Sequence, residues 1–442
     1  MRTTLIAALA LLSTGHAARV YYVNQPELLA GQINAVKPDG TAHTTMWTSP
    51  EVSDLRGVAV DAPNARLFFA HARQDAATLA LSEVSLRMLP TGGGAPSVVT
   101  SFPDGTFISD VEWEPASNWV YVAVTSALQL RRVRPDGSQI ETVLTHSAAG
   151  QGPYFFCLDP VAQNAYWAIV TNTNQTNTAY SRGSIATGVV DAAWSLVTPT
   201  RTRDIAIDPT VPGGRLYWCD RQNGTVYSRD VAGGTVQSVL PFRTLNAPHG
   251  LALDLEAGRA YVADTGKRGG GTEASAHRVV RFKMDGSGGL EFLSPVSTVA
   301  EPFDVTIDTT TTSYADWRTR FFASTALNAN PADDPDGDGS TNAAEYAFFT
   351  NPERSDAPHG ILQATATGLQ YAKHLVSDAT IRVEVTTDLA DWHWNGDAPG
   401  AVWTIEQSTA ARDADSQWVN VVPAPALAGA PKLFFRLRAT LP

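Results

Sequence analysis

A short apolar stretch that ends in an acidic residue recurs about every 50 residues through the first two thirds of the chain, and the first five copies are followed by a turn and an aromatic stretch. Apolar residues that alternate with small or polar ones over such short lengths predict β-strands. The interval suits units of four antiparallel strands, in which the acid ends the first strand. The acids are Asp61, Glu114, Asp159, Asp208, Asp254 and Asp308.

The two ends of this repeat array complement each other. The sixth copy stops after its first strand at Asp308, whereas residues 20–47 carry the pattern of a second, third and fourth strand without a first. Pairing the two ends would complete a sixth unit and remove the sheet edges that an open array exposes. The sequence therefore predicts a mainly β protein, with a six-bladed β-propeller over residues 19–310 that is closed by its N-terminal strands.

The aromatic stretches carry a signature of their own. Residues 215–220 read RLYWCD and residues 259–264 read RAYVAD. These units resemble the YWTD repeats of low-density-lipoprotein-receptor-type propellers, although Cys219 stands where threonine is usual. The resemblance implies a propeller that binds a protein or another ligand by one face more often than it catalyses a reaction.

Charge and the N-terminus limit the partners and the location. The chain has a formal net charge of −12 and no run of clustered lysine and arginine, which argues against nucleic acid or an anionic membrane as partner. A basic start, an apolar run from Leu5 to Leu12 and small residues near Ala18 predict a signal peptide over residues 1–18. No later segment is long enough to span a bilayer. We therefore expect a secreted, extracellular or cell-surface protein.

The two cysteines of the chain, Cys157 and Cys219, are too few for a disulfide scaffold. Export permits a bridge between them. The interpretation we favour is two small, buried apolar residues.

Three carboxylates are the main candidates for chemistry in the propeller. The residues four positions before the repeat acids are Gly57, Asp110, Phe155, Asp204, Gly250 and Asp304, so acids fall in every second unit. Around a ring they would converge near one mouth of the central channel, where like charges raise one another's pKa or recruit a cation.

Two interpretations of these carboxylates remain open. In the first they form the metal or polar-ligand site of a hydrolase, with His249, one position earlier in its unit, as the general base. In the second, which we favour, each aspartate accepts backbone N–H groups from the neighbouring blade. Arg56 and Arg203, at the same earlier position as His249, are candidates to neutralise them.

The stretch from Asp334 to Glu345 reads DPDGDGSTNAAE and meets the EF-hand loop pattern in full. Its donors match the six to eight oxygens that Ca²⁺ prefers. The alternative is an acidic surface turn. The chain has no second loop, so we predict a single structural calcium clip in a short helical segment over residues 313–352. The predicted ligands are Asp334, Asp336, Asp338, the backbone carbonyl of Ser340, Asn342 and Glu345.

This loop resembles the dockerin-like and thrombospondin-type-3-like segments that join domains in exported bacterial proteins. Apolar residues at helical spacing predict a helix from Tyr314 to Leu327 before it. After it, residues 359–442 predict a C-terminal β-sandwich module, with strands near 379–387, 401–406, 418–422 and 433–439. The Trp-rich stretch 388–394 is a candidate aromatic plug or, less favoured, a sugar-stacking surface.

Two functional hypotheses follow. The first is an exported, non-enzymatic binding protein that recognises an extracellular protein or glycan by a propeller face and holds a structural Ca²⁺. The alternative is a metal-dependent hydrolase or lactonase whose site at the channel mouth comprises Asp110, Asp204, Asp304 and His249.

Overall fold

The computed structural model describes residues 18–26, 28–146, 152–170, 177–197, 201–265, 277–294, 301–355, 362–375, 377–412, 416–427, 429–430 and 432–442. From Arg19 onward the chain forms two compact units, and the boundary between them along the chain lies between Thr309 and Thr310. The predicted signal peptide lies, apart from Ala18, outside the described residues. Within the described part of the chain, no helix has the length and apolar character needed to cross a membrane.

The first unit consists of short strands. In chain order they are β1 Arg19–Asn24, β2 Gln32–Val36, β3 Thr44–Thr48, β4 Ser53–Asp61, β5 Arg66–Gln74, β6 Leu81–Pro90, β7 Ser97–Ser101, β8 Ile108–Glu114, β9 Trp119–Val124, β10 Gln129–Val133, β11 Ile140–Thr145, β12 Pro153–Asp159, β13 Asn164–Val170, β14 Asn177–Ser184, β15 Leu196–Val197, β16 Thr202–Asp208, β17 Arg215–Asp220, β18 Thr225–Asp230, β19 Gln237–Ser238, β20 Pro248–Asp254, β21 Arg259–Asp264, β22 Arg278–Lys283, β23 Glu291–Phe292 and β24 Pro302–Asp308.

These strands form four-stranded antiparallel sheets, which we number I to VI. Sheets I to V each take four consecutive strands, from β4–β7 through β20–β23, and sheet VI combines β24 with β1, β2 and β3. The inner strand of each sheet ends at one of the six repeat acids. Inner strands contact one another in the cyclic order β4, β8, β12, β16, β20, β24 and back to β4.

Sheet VI brings together the two ends of the unit. Strand β1 pairs antiparallel with β24, with Val20 opposite Ile307. Successive side chains of a strand point to opposite faces. Accordingly Val20 and Tyr22 lie in a buried apolar cluster with residues of sheet V, whereas Tyr21 and Val23 lie in a cluster with residues of sheet I. Strand β1 therefore fills the space between its two neighbouring sheets.

The second unit begins with two short helices, α1 Tyr314–Phe321 and α2 Asn342–Phe348. Helix α1 is capped by the Ser313 hydroxyl, which accepts the Asp316 N–H. The predicted extension of this helix to Leu327 is wrong. The backbone becomes extended at Phe322, and Leu327 is 93% exposed.

Two further sheets complete the second unit. They contain β25 Leu362–Ala364, β26 Leu369–His374, β27 Thr380–Thr386, β28 His393–Trp394, β29 Thr404–Ala411, β30 Ser416–Pro423 and β31 Phe434–Thr440. The strand orders are β25-β26-β30-β29 and β28-β27-β31. Side chains of both sheets share one apolar cluster with Phe348 of α2. The pattern predicted β27, β29, β30 and β31 but missed β25, β26 and β28.

Candidate functional site

The three channel aspartates lie on the inner strands β8, β16 and β24. Asp110 accepts the Phe156 N–H of sheet III at 3.0 Å, Asp204 accepts the Leu251 N–H of sheet V at 2.7 Å, and Asp304 accepts the Val58 N–H of sheet I at 2.7 Å. Each carboxylate thus fastens its own sheet to the next one. Such bonds to backbone N–H groups are the structural role considered for these residues in the sequence.

Glycine at position 57 permits a close approach between the inner strands of sheets I and II. A Cβ at Gly57 would lie 2.3 Å from the Val111 nitrogen, directly beside Asp110 in the next sheet. Gly57 also has a φ of +57°, and β4 shifts register there against β5. The position four residues before the acid thus holds an aspartate that reaches the next sheet in sheets II, IV and VI, whereas Gly57 in sheet I allows the neighbouring strand to approach closely.

A fourth carboxyl joins the three aspartates, and sequence reasoning missed it. Glu112 lies two residues before the repeat acid on β8 and faces the channel. Burial, and then Asp304, raise its pKa to about 8. Burial raises the pKa of Asp304 to about 7, and burial followed by neighbouring carboxyls raises the pKa values of Asp110 and Asp204 well above the ordinary range. The cluster therefore holds protons near neutral pH.

These carboxyls border a cavity of about 300 Å³ at the end of the inner strands where the repeat acids lie. Glu112, Asp204 and Asp304 line it, together with Cys157. Cys157 and Cys219 are both buried free thiols. Burial, and then Glu112, raise the pKa of the Cys157 thiol well above its usual range, so this thiol is a poor nucleophile.

His249 lies in a different cavity, of about 330 Å³, at the opposite end of the inner strands. Its ring lies 3.7 Å from that of Phe303 and 5.4 Å from that of Phe155, centroid to centroid. Burial, and then Arg203 and further arginines, hold its pKa well below the ordinary value. The residues of the hydrolase hypothesis are therefore not gathered at one cavity, because Asp204 and Asp304 line the first and His249 lines the second.

Arg56 does not pair with a channel aspartate as the sequence suggested. Arg56 pairs instead with Asp54, at 2.7 Å between Nε and Oδ1, and its guanidinium lies 3.8 Å from the centre of the Phe303 ring. Arg203 is fully buried and stands 5.7 Å from the centre of the Tyr154 ring. Both arginines belong to the His249 side of the channel.

The acidic loop of the second unit brings three of its predicted ligands together. Oxygens of Asp334, Asp336 and Asp338 all lie within 4.8 Å of one another. Among the described residues, the channel carboxyls do not form a group with that spacing. Asp334 accepts the N–H groups of Gly337 and Gly339 at 2.9 and 3.0 Å, so the loop is folded around its first acid.

The remaining predicted ligands adjoin this loop at the start of α2. Asn342 is fully buried, and its side-chain N–H group donates to the carbonyls of Asn328 and Asn330 at 3.0 and 2.8 Å. Its Oδ1 and the Oδ2 of Asp336 are buried acceptors without a hydrogen-bond donor. Glu345 is fully buried in the first turn of α2, and Ser340 donates its N–H to Asp338. Buried oxygen acceptors of this kind fit a hard cation such as Ca²⁺.

The Trp-rich stretch of the second unit is exposed over 388–391 and half-buried over 392–394, and two of its indole rings lie beside arginines. The guanidinium groups of Arg382 and Arg436 each lie 4.1 Å from an indole ring, that of Trp394 and that of Trp392 respectively. His393 stacks on Trp403 with 4.2 Å between ring centres. Arginine that covers an indole face leaves that face unavailable for a sugar ring.

Comparison with known proteins identifies a fold but no family, and no family model matches the chain. A chain of the crystal structure of a nidogen/laminin complex is similar over 66% of this chain and 98% of its own length, at 13% identity and a TM-score of 0.50. TolB from Acinetobacter baumannii is 11% identical over 66% of both chains, with a TM-score of 0.48. A protein of unknown function from Bacteroides caccae is 10% identical over 66% of this chain and 99% of its own, also at 0.48.

At such identities the likeness to the nidogen/laminin chain shows fold alone. The prediction of a mainly β, propeller-like fold is confirmed at that level.

Proposed function

We propose that this protein is an exported, non-enzymatic binding protein that recognises another protein or a glycan by one face of a six-bladed propeller. The observation that carries the proposal is the hydrogen bonding of the three channel aspartates. Each accepts a hydrogen bond from a backbone N–H of the neighbouring sheet through one carboxylate oxygen. The residues best suited to catalysis by their spacing are thereby engaged in holding neighbouring sheets together.

The blade number and the closure belong to this proposal. Six four-stranded sheets with cyclic contacts among their inner strands support it, as does the pairing of β24 with β1. The nidogen/laminin structure is a complex between two proteins. By extension, a protein partner is the first class to test for this chain.

We also infer a structural Ca²⁺ in the loop of the second unit. Asp334, Asp336 and Asp338 would hold it together with the Ser340 carbonyl, Asn342 and Glu345. The ion would supply positive charge that offsets the repulsion among these carboxylates. The surrounding residues are well placed to transmit its effect, because Phe348 of α2 packs on Tyr371 of β26 and the Tyr346 hydroxyl bonds Asp378 at 2.8 Å. A calcium clip would thus steady α2 against the C-terminal β-sandwich module.

Export completes the proposal. It rests on the basic start, apolar run and small residues of the N-terminal 18 residues. Secretion or display at the cell surface would expose a propeller face to extracellular protein or glycan. Detection of the processed chain outside the producing cell, beginning near Ala18 or Arg19, tests this part.

The hydrolase alternative has one observation in its favour, the raised pKa of Glu112 beside a cavity of about 300 Å³. A protonated carboxyl at neutral pH is suited to general-acid work. The position of His249 in the other cavity weakens the alternative, because the proposed base would be separated from the carboxyls.

The test uses the full chain in two assays. An array of extracellular proteins and glycans, with and without Ca²⁺, should give saturable binding to a defined partner. A parallel screen with lactone, ester and glycan substrates should give no turnover. Turnover by the parent protein that is lost in Glu112→Gln and kept in the surface variant Glu141→Gln would overturn the binding proposal in favour of the alternative.

A further inference from the structure

The cavity of about 300 Å³ at the repeat-acid end of the channel is lined by carboxyls from three different sheets. Glu112 comes from sheet II, Asp204 from sheet IV and Asp304 from sheet VI, so the acids approach the cavity from every second sheet. Cys157 of sheet III adds a thiol. The described residues that line the cavity include no lysine, arginine or histidine. Within this cavity the carboxyls therefore have no basic side chain as a partner.

Two of these side chains face the cavity without a hydrogen-bond partner. The carboxyl of Glu112 accepts no hydrogen bond from any described residue, whereas Asp204 and Asp304 each accept a backbone N–H of the next sheet. Cys157 is only 5% exposed, and its free thiol also lacks a partner within the described part of the chain. Buried polar groups are normally hydrogen-bonded. An unpartnered carboxyl and an unpartnered buried thiol on one cavity therefore indicate a place for a ligand.

The walls of the cavity between its rim and its acids are apolar. Pro115 and Pro160, in the turns that follow β8 and β12, line the cavity and are exposed, so a ligand can enter from this end of the channel. Leu158, Ile207 and Ile307 also line it and are half-buried. A volume of about 300 Å³ is at the small end of the range for sites that hold small molecules. The cavity thus suits a small ligand with an apolar body.

The spacing of the carboxyls favours an organic cation over a bare metal ion. Among the described residues, the channel carboxyls do not form a group of three whose oxygens all lie within 4.8 Å of one another. Such oxygens are too widely spaced to bind one Ca²⁺ together, since each would have to lie about 2.4 Å from the ion. An ammonium group reaches further, because its N–H···O bonds span about 2.9 Å and its three donors point in different directions.

We propose that this cavity binds a small organic amine in its protonated form, which goes beyond the recognition of a macromolecule by the propeller face. The ammonium group donates hydrogen bonds to Glu112 and Asp304, and such charge-assisted bonds are stronger than neutral ones. The apolar body of the ligand lies against Leu158 and Ile307. A simple ammonium ion lacks such a body and leaves these walls unused.

Binding of the amine is linked to the loss of protons from the carboxyls. Burial raises the pKa of Asp304 to about 7, and burial followed by Asp304 raises that of Glu112 to about 8. Burial and then neighbouring carboxyls raise the pKa values of Asp110 and Asp204, and burial followed by Glu112 raises the pKa of the Cys157 thiol, so that this thiol stays neutral. An alkylammonium group keeps its own proton up to about pH 10. The affinity for the amine should therefore rise between about pH 6 and about pH 9, as the carboxyls ionise.

Calorimetric titration of the full chain with cyclohexylamine tests the proposal, with cyclohexanol as its neutral analogue and ammonium chloride as a cation without an apolar body. At about pH 9 cyclohexylamine should bind at one site per chain, more tightly than ammonium, and cyclohexanol should not bind measurably. The affinity at about pH 6 should be lower by about tenfold or more. Glu112→Gln should weaken binding at about pH 9 by about tenfold or more, since a hydrogen-bonded charge pair is lost. Glu141→Gln removes a carboxylate that pairs with Arg132 outside the cavity, and it should leave the affinity within about twofold.

Circular dichroism and the unfolding midpoint establish that Glu112→Gln is folded. If it is not, Ala252→Phe takes its place, because Ala252 lines the cavity and a ring there reduces the space for the ligand while every carboxyl is kept. This variant should also weaken cyclohexylamine binding by about tenfold or more. Equal binding of cyclohexylamine and cyclohexanol would overturn the site, as would equal effects of the Glu112 and Glu141 substitutions or an affinity that does not change between pH 6 and pH 9. Ammonium that binds as tightly as cyclohexylamine, or no binding of cyclohexylamine at millimolar concentration, would overturn the assignment to an organic amine.

Discussion

Replacing Glu112 by glutamine should stabilise the protein above neutral pH. The carboxyl lies among Asp110, Asp204 and Asp304, and its pKa is raised from 4.5 to about 8. A carboxyl whose pKa is raised by folding binds its proton more tightly in the folded state. Its contribution to the free energy of unfolding is therefore greatest below pH 4.5 and falls as the pH rises towards 8. Glutamine has nearly the same shape and never ionises.

The size of the effect follows from the pKa. A shift from 4.5 to about 8 corresponds to roughly 5 kcal/mol at about 1.4 kcal/mol per pKa unit. Glu112 borders a cavity that can admit water, and part of its pKa shift comes from repulsion by Asp304. The expected gain in the free energy of unfolding is therefore smaller than this. We expect Glu112→Gln to raise the free energy of unfolding at pH 9 by on the order of 2–3 kcal/mol. At pH 4 the two proteins should differ by less than about 1 kcal/mol, because both side chains are then neutral.

Urea unfolding at a series of pH values, followed by tryptophan fluorescence, measures this difference. The parent should lose stability between about pH 4.5 and 8, and the variant should lose less. Glu141→Gln is the matched control, because Glu141 pairs with Arg132 on the partly exposed strands β10 and β11. A Glu112→Gln protein with the parent's pH dependence, or one less stable than the parent at pH 9, would refute the assignment of a buried, protonated carboxyl cluster.

Three other perturbations test the fold and the loop. Gly57→Ala should lower the free energy of unfolding in urea by on the order of 2–4 kcal/mol, because its Cβ would lie 2.3 Å from the Val111 nitrogen. The control is Gly105→Ala, where φ is also positive but the space is open, and it should cost about 1 kcal/mol. Equal costs for the two substitutions would contradict the close approach at Gly57. Calcium at about 100 times its dissociation constant should stabilise the second unit by roughly 2.7 kcal/mol in calorimetry. Glu345→Gln should abolish that gain and Glu353→Gln should keep it, and a gain retained in both would exclude the proposed ligand. Removing β1, β2 and β3 should abolish cooperative unfolding of the first unit, and a compact truncated protein would disprove the closure.

The repeat could be recognised in the sequence because its inner strands are short and each ends in an acidic residue. Each inner strand ends at its acid, and Tyr217 and Tyr261 lie on strands that pair back to the inner ones. The second strands are buried on both faces between neighbouring sheets, so they stand out as short, nearly continuous apolar runs. The three missed strands of the second unit are short or interrupted by polar residues, so their alternation is weak.

The sequence placed three carboxyls of the channel, Asp110, Asp204 and Asp304, because they recur at a constant distance before the repeat acid. In sheet II the register shift falls between Ile108 and Asp110 and does not affect the residues after it. Glu112 lies after the shift and could have been found by counting two residues back from Glu114.

The two ends of the channel differ in how the free-energy cost of a buried charge is reduced. Carboxyls can accept a proton, and the raised pKa values of Glu112 and Asp304 indicate that these side chains become neutral instead of keeping a buried charge. Arginine cannot discharge itself at physiological pH, since even the lowered pKa of Arg203 is about 9. The two ends of the channel therefore differ in how their buried groups respond to pH: the carboxyl end changes its charge near neutral pH, whereas the arginine end keeps its charge.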